Sequence, residues 1–597
     1  MKVPLFEQRL IAALAWIVRL PLLGDIELAR LMGIGEIDAR HLRTELDRRG
    51  WVEWIAPRVA ELDERRRAAF LRAEALADLA TCSGFAAEEI ARRAPVRDAD
   101  VLTRIPRIGE VTAVNWLLSG LAAELRERGE MTLMDACSLP VASTRRWWPH
   151  GVDAYGVVRG GRGAARFFVA WDRAGVPDGH RRIRIRSWAA ESRSAHPSLI
   201  LVVCADAHAQ RVWDAELRRH AERAGMPDVR LTTAQEVLAA GPRAAIWSIP
   251  GVSVRLRFEQ ALPSPSTDMG PLLTFPASMQ LPRRPCSAPR LRDRAAITAV
   301  LPGNRPIRER TAALAIVTSA ADKACLDWLA RHPRLSAPEL ALFLDLPVGV
   351  IARRLQLLTR YHAVRRLEVD GAELWCITER TLRMFADAEG VPWKRYELNG
   401  AVKAPGPEDD SATRPSMAHQ LGINHVFARF ARDARAAGWQ LRVWRNEAES
   451  AHRFVFDGRK AWIRPDGSGT LHRGNEERAF LLEYDRGTLD AGDYRDKFSG
   501  YARYFEAGEW RDRFSTRPSL LFVCSDDRAE RRVARAVETA ALPLPIFITV
   551  EWRYDRVDER RGGIFGEIWR DQFDGPRKSA LIIEPERRPQ KYGARRA

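Results

Sequence analysis

At 597 residues the chain is too long for a single hydrophobic core, and its length calls for about three to five domains. Hydrophobic residues make up 46% and charged residues 29%, the balance of a soluble globular protein, and no apolar run is long enough to span a membrane; a cytoplasmic protein is expected. Seven cysteines without a C-x-x-C pair argue against zinc ribbons and a disulfide framework, and a net charge of +17 points to a polyanionic partner, nucleic acid first, because each neutralised phosphate releases condensed counterions.

The apolar start, "MKVPLFEQRLIAALAWIVRLPLL", is broken at helical spacing by Glu7, Arg9 and Arg19 and has no small-residue cleavage site, so it reads as an amphipathic helix. The apolar spacing of residues 5 to 18, then "GDIELARLMG", then "EIDARHLRTELDRRG", predicts three short helices, and "WVEWIAPRVAEL" follows with strand-like alternation. This order resembles a winged helix. In that fold the third helix enters a major groove, here presenting Arg40, His41, Arg43 and Arg48.

The same pattern returns later in the chain. "LAWIVRLPLLGDIELARLMG" from Leu14 aligns without a gap on "LDWLARHPRLSAPELALFLD" from Leu326, pairing Trp16 with Trp328, Pro21 with Pro333 and Leu28 with Leu340, each 312 positions apart. Further on, Asp153, Gly156, Asp172 and Arg173 pair with Asp466, Gly469, Asp485 and Arg486 at a spacing of 313, and Asn115 and Gly129 with Asn424 and Gly438 at 309. An offset this constant argues for a tandem duplication. In the second copy Ser336 is placed as a helix N-cap, Pro338 in the first turn, and Asp370-Gly371 supplies the tight turn of a wing hairpin; the recognition helix would present Arg353, Arg354 and Arg360.

The expected organisation is α/β (α+β): winged helix 1–100, α/β domain 101–258, a Pro-rich linker 259–311, a second winged helix 312–400, a linker 401–416, a second α/β domain 417–575 and a basic tail 576–597. Within the second α/β domain the order reads helix, three-stranded meander, helix, strand, helix, strand. The meander is assigned to "WQLRVWRNE", "KAWIRPDG" and "RAFLLEYD". "VRGGRGAAR" from Val158 is Gly-rich but falls in a hairpin, not a phosphate cradle. His150, His196, His419 and His425 have no metal-ligand spacing and read as structural.

"AFLLEYDRGT", residues 479–488, carries two acids inside an apolar strand. Side chains two apart share a face, so Glu483 and Asp485 point the same way, and Asp466 is expected to end the strand beside them. Three converging carboxylates suit a hard cation such as Mg²⁺, which can activate water and neutralise charge developing on a phosphodiester. Glu447, at the end of the preceding strand, is a fourth acid, and Lys497 on the following helix could orient the water. An acid inside an apolar strand costs several kcal/mol unless it is partnered.

"HQLGINHVF", "WRNE", "RPDG", "LLEYDRGT" and "KFSGYARYF" together resemble the PD-(D/E)XK nuclease superfamily, and within it the replication-relaxation proteins of plasmids and integrative mobile elements, which join a winged helix to such a core. The resemblance implies a catalytic set of Asp466, Glu483, Asp485, Lys497 and Glu447, with Asp466, Glu483 and Asp485 as metal ligands, and DNA, double-stranded, as partner. One departure stands out: where the nuclease pattern has Lys two positions after the strand acid, this chain has Asp485, so Lys497 must substitute from the helix. In the first copy Asp153 and Asp172 remain, but Ala170 replaces Glu483 and Arg182, Arg184 and Arg186 lie in the region of Lys497; that copy is expected to be inactive, a basic clamp on DNA or half of an intramolecular pseudo-dimer. Two readings stay open at this point, a DNA-binding protein of a mobile element whose nuclease-like fold is noncatalytic, and a Mg²⁺-dependent endonuclease with its active site in the second copy.

Overall fold

The structure, a computed structural model, describes residues 4–56, 67–139, 151–161, 163–173, 176–191, 199–220, 226–264, 273–276, 278–286, 288–400, 402–405, 415–540, 545–556, 563–571 and 575–580. His150, His196 and residues 581–597 of the basic tail lie outside these. The chain divides into two compact units: Met1–Pro333 with Ala352–Arg366 and Trp375–Ala404, and Arg334–Ile351 with Leu367–Leu374 and Pro405–Ala597. The fold is mixed α/β throughout.

The first unit begins with α1 (Leu5–Arg19), α2 (Asp25–Met32) and α3 (Glu36–Arg48), closed by the antiparallel pair β1 (Val52–Ile55) and β2 (Ala68–Leu71). Of the apolar residues in these helices, Leu10, Leu14, Ile17 and Val18 of α1 and Leu42 and Leu46 of α3 are buried, whereas Leu5, Phe6 and Ile37 are exposed. Gly33 ends α2 at φ 68, where a side chain would be strained. Helices α4 (Ala75–Ser83), α5 (Ala87–Arg93), α6 (Asp98–Arg104) and α7 (Ile108–Arg128) lead to strands β3 (Met131–Ser138), β4 (Ala154–Gly160), β5 (Gly163–Trp171), β6 (Leu199–Cys204), β7 (Asp228–Thr233), β8 (Trp247–Ser248) and β9 (Arg255–Leu256), with α8 (Asp178–Glu191), α9 (Ala207–His220) and α10 (Ala234–Ala240) between them. The sheet runs β3-β4-β5-β6-β7-β8-β9; β5 through β7 are parallel and the other pairs antiparallel.

Residues 259–311, expected to be a linker, are in large part packed structure. Leu273, Met279 and Leu281 join the core, Trp51 Nε1 donates to Pro282 O at 2.9 Å, Arg284 N donates to Arg49 O at 2.9 Å, and helices α11 (Phe258–Ala261), α12 (Leu291–Val300) and α13 (Ile307–Val317) form. Proline content forbids regular hydrogen-bond ladders but not burial, and the apolar residues between the prolines find a surface.

Helices α14 (Ala320–Arg331), α15 (Ala337–Leu344) and α16 (Val348–Arg360), strands β10 (Val364–Val369) and β11 (Ala372–Ile377), then α17 (Glu379–Glu389) and α18 (Trp393–Gly400), repeat the opening order of helices and hairpin. Ser336 caps α15 by accepting from Glu339 N, with Pro338 in its first turn. Asp370 and Gly371 turn at φ 50 and 77, the sign a two-residue hairpin turn needs.

The second unit contains α19 (Pro415–Ala436), β12 (Gln440–Asn446), α20 (Glu447–Ser450), a separate hairpin β13 (His452–Phe456) and β14 (Arg459–Ile463), then β15 (Gly467–Arg473), β16 (Glu476–Asp485), α21 (Ala491–Glu506), β17 (Ser519–Cys524), α22 (Asp527–Ala540), β18 (Ile546–Val550), α23 (Glu551–Arg556) and β19 (Arg570–Asp571). Its sheet runs β12-β15-β16-β17-β18-β19, with the same succession of antiparallel and parallel neighbours as β3 to β8. The meander is therefore present, but its middle strand is "GSGTLHR", not "KAWIRPDG". The latter belongs to the inserted hairpin, so Asp466 precedes a sheet strand where it was expected to end one. Gly156 and Gly469 occupy matching places: a Cβ on either would sit 2.4 Å from the ring of Phe167 or Phe480 on the next strand.

Candidate active site

The parallel register of β16 on β17 buries the apolar half of "AFLLEYD" and carries Glu483 and Asp485, two apart, to the carboxyl end of the strand. Both acids are buried. They line one pocket of about 350 Å³ with His419, Asp466, Tyr484, Arg486, Thr488, Leu489 and Lys497. Asp466 reaches it from the turn before β15, His419 from α19, and Lys497 from the second turn of α21, whose start is fixed by Asp490 accepting from Gly492 N and Asp493 N.

Each carboxylate has named partners. Lys497 Nζ donates to Glu483 Oε2 at 2.6 Å, and Tyr501 OH, one turn further along α21, donates to Oε1. Asp466 Oδ2 accepts from Tyr484 N at 2.8 Å, and its Oδ1 lies 3.1 Å from His419 Nε2. Asp485 accepts from Tyr494 OH at 2.6 Å and from Gly487 N at 2.5 Å. So Asp466, Glu483, Asp485 and Lys497 line one pocket, without the ligand atoms of the three acids all falling within 4.8 Å of one another, while Glu447 lies outside it. It opens α20 rather than ending a strand, and pairs at 2.7 Å with Arg464, both half exposed.

Electrostatics separate the two central acids. Burial pushes Glu483 up to about 7, with the Asp466 charge acting in the same direction and Lys497 and Tyr501 pulling it back. Burial would raise Asp466 as well, but the hydrogen bond and charge of His419, the Lys497 charge and the Tyr484 amide together hold it below the ordinary carboxylate range. Lys497 is raised, because Glu483 and Asp466 outweigh its desolvation, and His419 is raised because Asp466 does the same for it. At neutral pH Asp466 is thus a firm anion, Glu483 is near its midpoint and Lys497 is an ammonium.

Two contributors were not foreseen. His419, read as structural, is a partner of Asp466, and Tyr501 completes the hold on Glu483. The sequence signal was there, in "HQLGINHVF" and in Tyr501 four positions from Lys497 on one helical face. His425 lies 3.0 Å from Asp555, and with Glu551 their ligand atoms fall within 4.8 Å of one another.

The first unit keeps the frame and changes its contents. Asp153 accepts from Trp171 N at 2.7 Å, as Asp466 does from Tyr484 N, but its other partner is Arg107. Asp172 is held by Arg181 Nε at 2.7 Å and Trp213 Nε1 at 3.2 Å. Ala170 is buried at the position of Glu483, with Trp188 where the second unit has Tyr501. Arg184, the counterpart of Lys497, donates to Glu389 Oε2 at 3.0 Å; burial opposes that glutamate's charge, but Arg184, Arg107 and Arg173 keep it below its ordinary range. Arg184 is therefore committed inside the unit and is no part of an exposed basic clamp, while Arg186 is largely exposed beside Glu216.

Of the residues expected on recognition helices, Arg40, His41, Arg48, Arg353 and Arg360 are exposed. Arg40 pairs with Glu36 and Asp25, and Arg48 with Glu45. Arg354 is half-buried against Ser319 and Asp322. Arg43 corrects the expectation: it is buried, with Nε 2.5 Å from Asp25 Oδ1 and Nη2 3.3 Å from Oδ2, so it ties α3 to α2 and presents nothing to a groove.

Residues 326–520 match the family model described as replication-relaxation, which supports that family for this part of the chain and covers β12 to β16 and the whole of the carboxylate pocket. No curated protein and no solved structure matches the chain. Among the described residues no helix is long and apolar enough to cross a membrane.

Proposed function

We propose that this is a DNA-processing protein of a mobile genetic element, acting in replication or transfer, whose second unit hydrolyses phosphodiester bonds with a divalent cation. The observation that carries the reading is the contact of Lys497 Nζ with Glu483 Oε2 in a pocket shared with Asp466. A lysine supplied from the helix would take the part that the nuclease pattern gives to a lysine on the strand.

The chemistry of the donor set, carboxylates lining one pocket, suits a hard cation, although the ligand atoms of Asp466, Glu483 and Asp485 do not all lie within 4.8 Å of one another. Asp466 and Glu483 offer carboxylate oxygens from two adjacent elements, and Asp485 stands at the same mouth; these are the residues that would hold Mg²⁺. When bound, the ion supplies an activated water and offsets charge on the phosphate. Lys497 would supply an ammonium to offset charge on the phosphate. His419 keeps Asp466 ionised and oriented, and Tyr501 fixes the Glu483 carboxyl.

The two runs of three helices and a hairpin, and the matching sheet orders, support a tandem winged-helix and PD-(D/E)XK-like arrangement. Exposed Arg40, His41, Arg48, Arg353 and Arg360 are then the DNA-contacting set. The first unit, lacking the glutamate, would serve DNA binding only. A noncatalytic reading of the second unit is favoured by one observation: Asp485, standing where the pattern has lysine, is already engaged by Tyr494 and Gly487. Calorimetric titration with Mn²⁺ tests the site. Glu483→Gln should bind one ion fewer per chain than the wild type, and equal stoichiometry in the two proteins would refute the assignment.

A further inference from the structure

The hairpin β13–β14 is an insertion between β12 and β15, and its two faces are opposite in character. The inward face, Phe454, Ala461 and Ile463, packs in one cluster with Tyr494, Phe498, Tyr501 and Tyr504 of α21. Gly500 permits the approach: a Cβ there would sit 3.3 Å from Trp462 O. His452 Nε2, 2.9 Å from Glu509, anchors the other end. The outward face carries Arg453 opposite Trp462 and Val455 opposite Lys460. Trp462 is 64% exposed and Val455 62%. Neither Arg453 nor Lys460, nor Arg459 beside the turn, forms an ion pair among the described residues.

A solvent-exposed indole on a rigid two-stranded platform, flanked by uncompensated cations, matches no folding requirement. Burying Trp462 would be worth about 2 kcal/mol or more, and the hairpin already has a complete apolar face without it. The combination is what an unpaired nucleic-acid strand uses: a π-face on which any base can stack, and cations that track the phosphates. Trp462 and Asp466 are only four positions apart in the chain, so their Cα atoms are at most about 14 Å apart, the length of roughly four nucleotides at base-stacking rise.

We infer that the outward face of this hairpin, Trp462 with Arg453, Val455 and Lys460, is a stacking site for an unpaired base of the DNA strand that enters the carboxylate pocket. The inference rests on the proposal that the chain binds DNA and adds the form of the substrate: a single-stranded or locally opened segment next to the scissile position. Trp462 takes the base, while Arg453 and Lys460 take the flanking phosphates.

Fluorescence anisotropy of the full chain with a labelled oligothymidine and with a labelled duplex tests this. Trp462→Ala should weaken single-strand binding roughly ten-fold or more while changing duplex binding less than about two-fold, and Trp462→Phe should restore most of the loss. Arg453→Gln with Lys460→Gln should lower the salt slope for single strands by about 1.4. Because Trp462 is exposed, the variant's melting temperature should equal the wild type's. Wild-type affinity in Trp462→Ala, or equal losses for duplex and single strand, would overturn the stacking site while leaving the DNA-binding proposal standing. Absence of DNA binding by the wild type would remove both.

Discussion

Replacing Glu483 by glutamine isolates the most unusual group in the second unit. Glu483 is shifted up from its ordinary 4.5 to about 7, chiefly by burial. A raised carboxyl means the folded state holds the proton more tightly than the unfolded one, so its contribution is fully present below pH 4.5 and is lost as pH climbs to 7. With these two values the loss is about 1 kcal/mol at pH 5 and about 3 kcal/mol at pH 8. Glutamine keeps the shape and an acceptor for Tyr501 and Lys497 without the titration. The stability of Glu483→Gln relative to wild type should therefore rise by about 2–3 kcal/mol between pH 5 and pH 8, on the order of 50-fold in local opening. Amide hydrogen exchange of β16 and β17, compared between the two proteins at each pH, reads this unit alone and avoids assuming that the whole chain unfolds in one step. A protection ratio that stays constant from pH 5 to pH 8 would refute a strongly raised Glu483.

Tyr501→Phe removes a donor from a buried carboxyl and should lower the melting temperature of the second unit by an amount equivalent to about 1–2 kcal/mol, measured by calorimetry, with Glu483 titrating still higher in difference infrared spectra. Arg43→Ala breaks a buried pair with Asp25 and should cost about 3 kcal/mol in the first unit with little change in DNA affinity per folded molecule. By contrast, Arg353→Ala and Arg360→Ala should leave melting unchanged and each reduce the salt slope of duplex binding by about one. Ala170→Glu should not build a metal site in the first unit. Its carboxyl would enter a packed core whose nearest counterpart of Lys497, Arg184, is taken by Glu389, and a several-kcal/mol destabilisation without added Mn²⁺ binding is expected on calorimetric titration.

Much of the site was legible because the relevant rules are local. Strand alternation puts Glu483 and Asp485 on one face whatever the rest of the chain does, and Ser336, Asp370 and Gly371 act through turns a few residues long. What failed depended on contacts between distant segments. β15, "GSGTLHR", has the composition of a loop, and it forms a central strand because its glycines admit Phe427 and Phe480 at distances no side chain would allow. Missing that strand put Asp466 on the wrong side of a strand and hid the inserted hairpin. Arg43 and Arg48 look alike in sequence, and only the position of Asp25 buries one and leaves the other exposed. Residues 273–286 read as a linker because prolines mask periodicity, although Leu273, Met279 and Leu281 belong to the core. His419 was set aside for want of a second histidine at ligand spacing, when its partner is a carboxylate 47 positions away.

The pocket of Asp466, Glu483 and Lys497 is proposed to perform metal-dependent cleavage of DNA. Supercoiled plasmid incubated with the full chain, with Mg²⁺ or with chelator, tests it most directly when run beside Glu483→Gln and Lys497→Met. Nicking should require the cation and fall at least a hundred-fold, about 2.7 kcal/mol, in each variant while both still bind DNA. Binding without cleavage in the wild type, or cleavage that survives in Glu483→Gln, would contradict it.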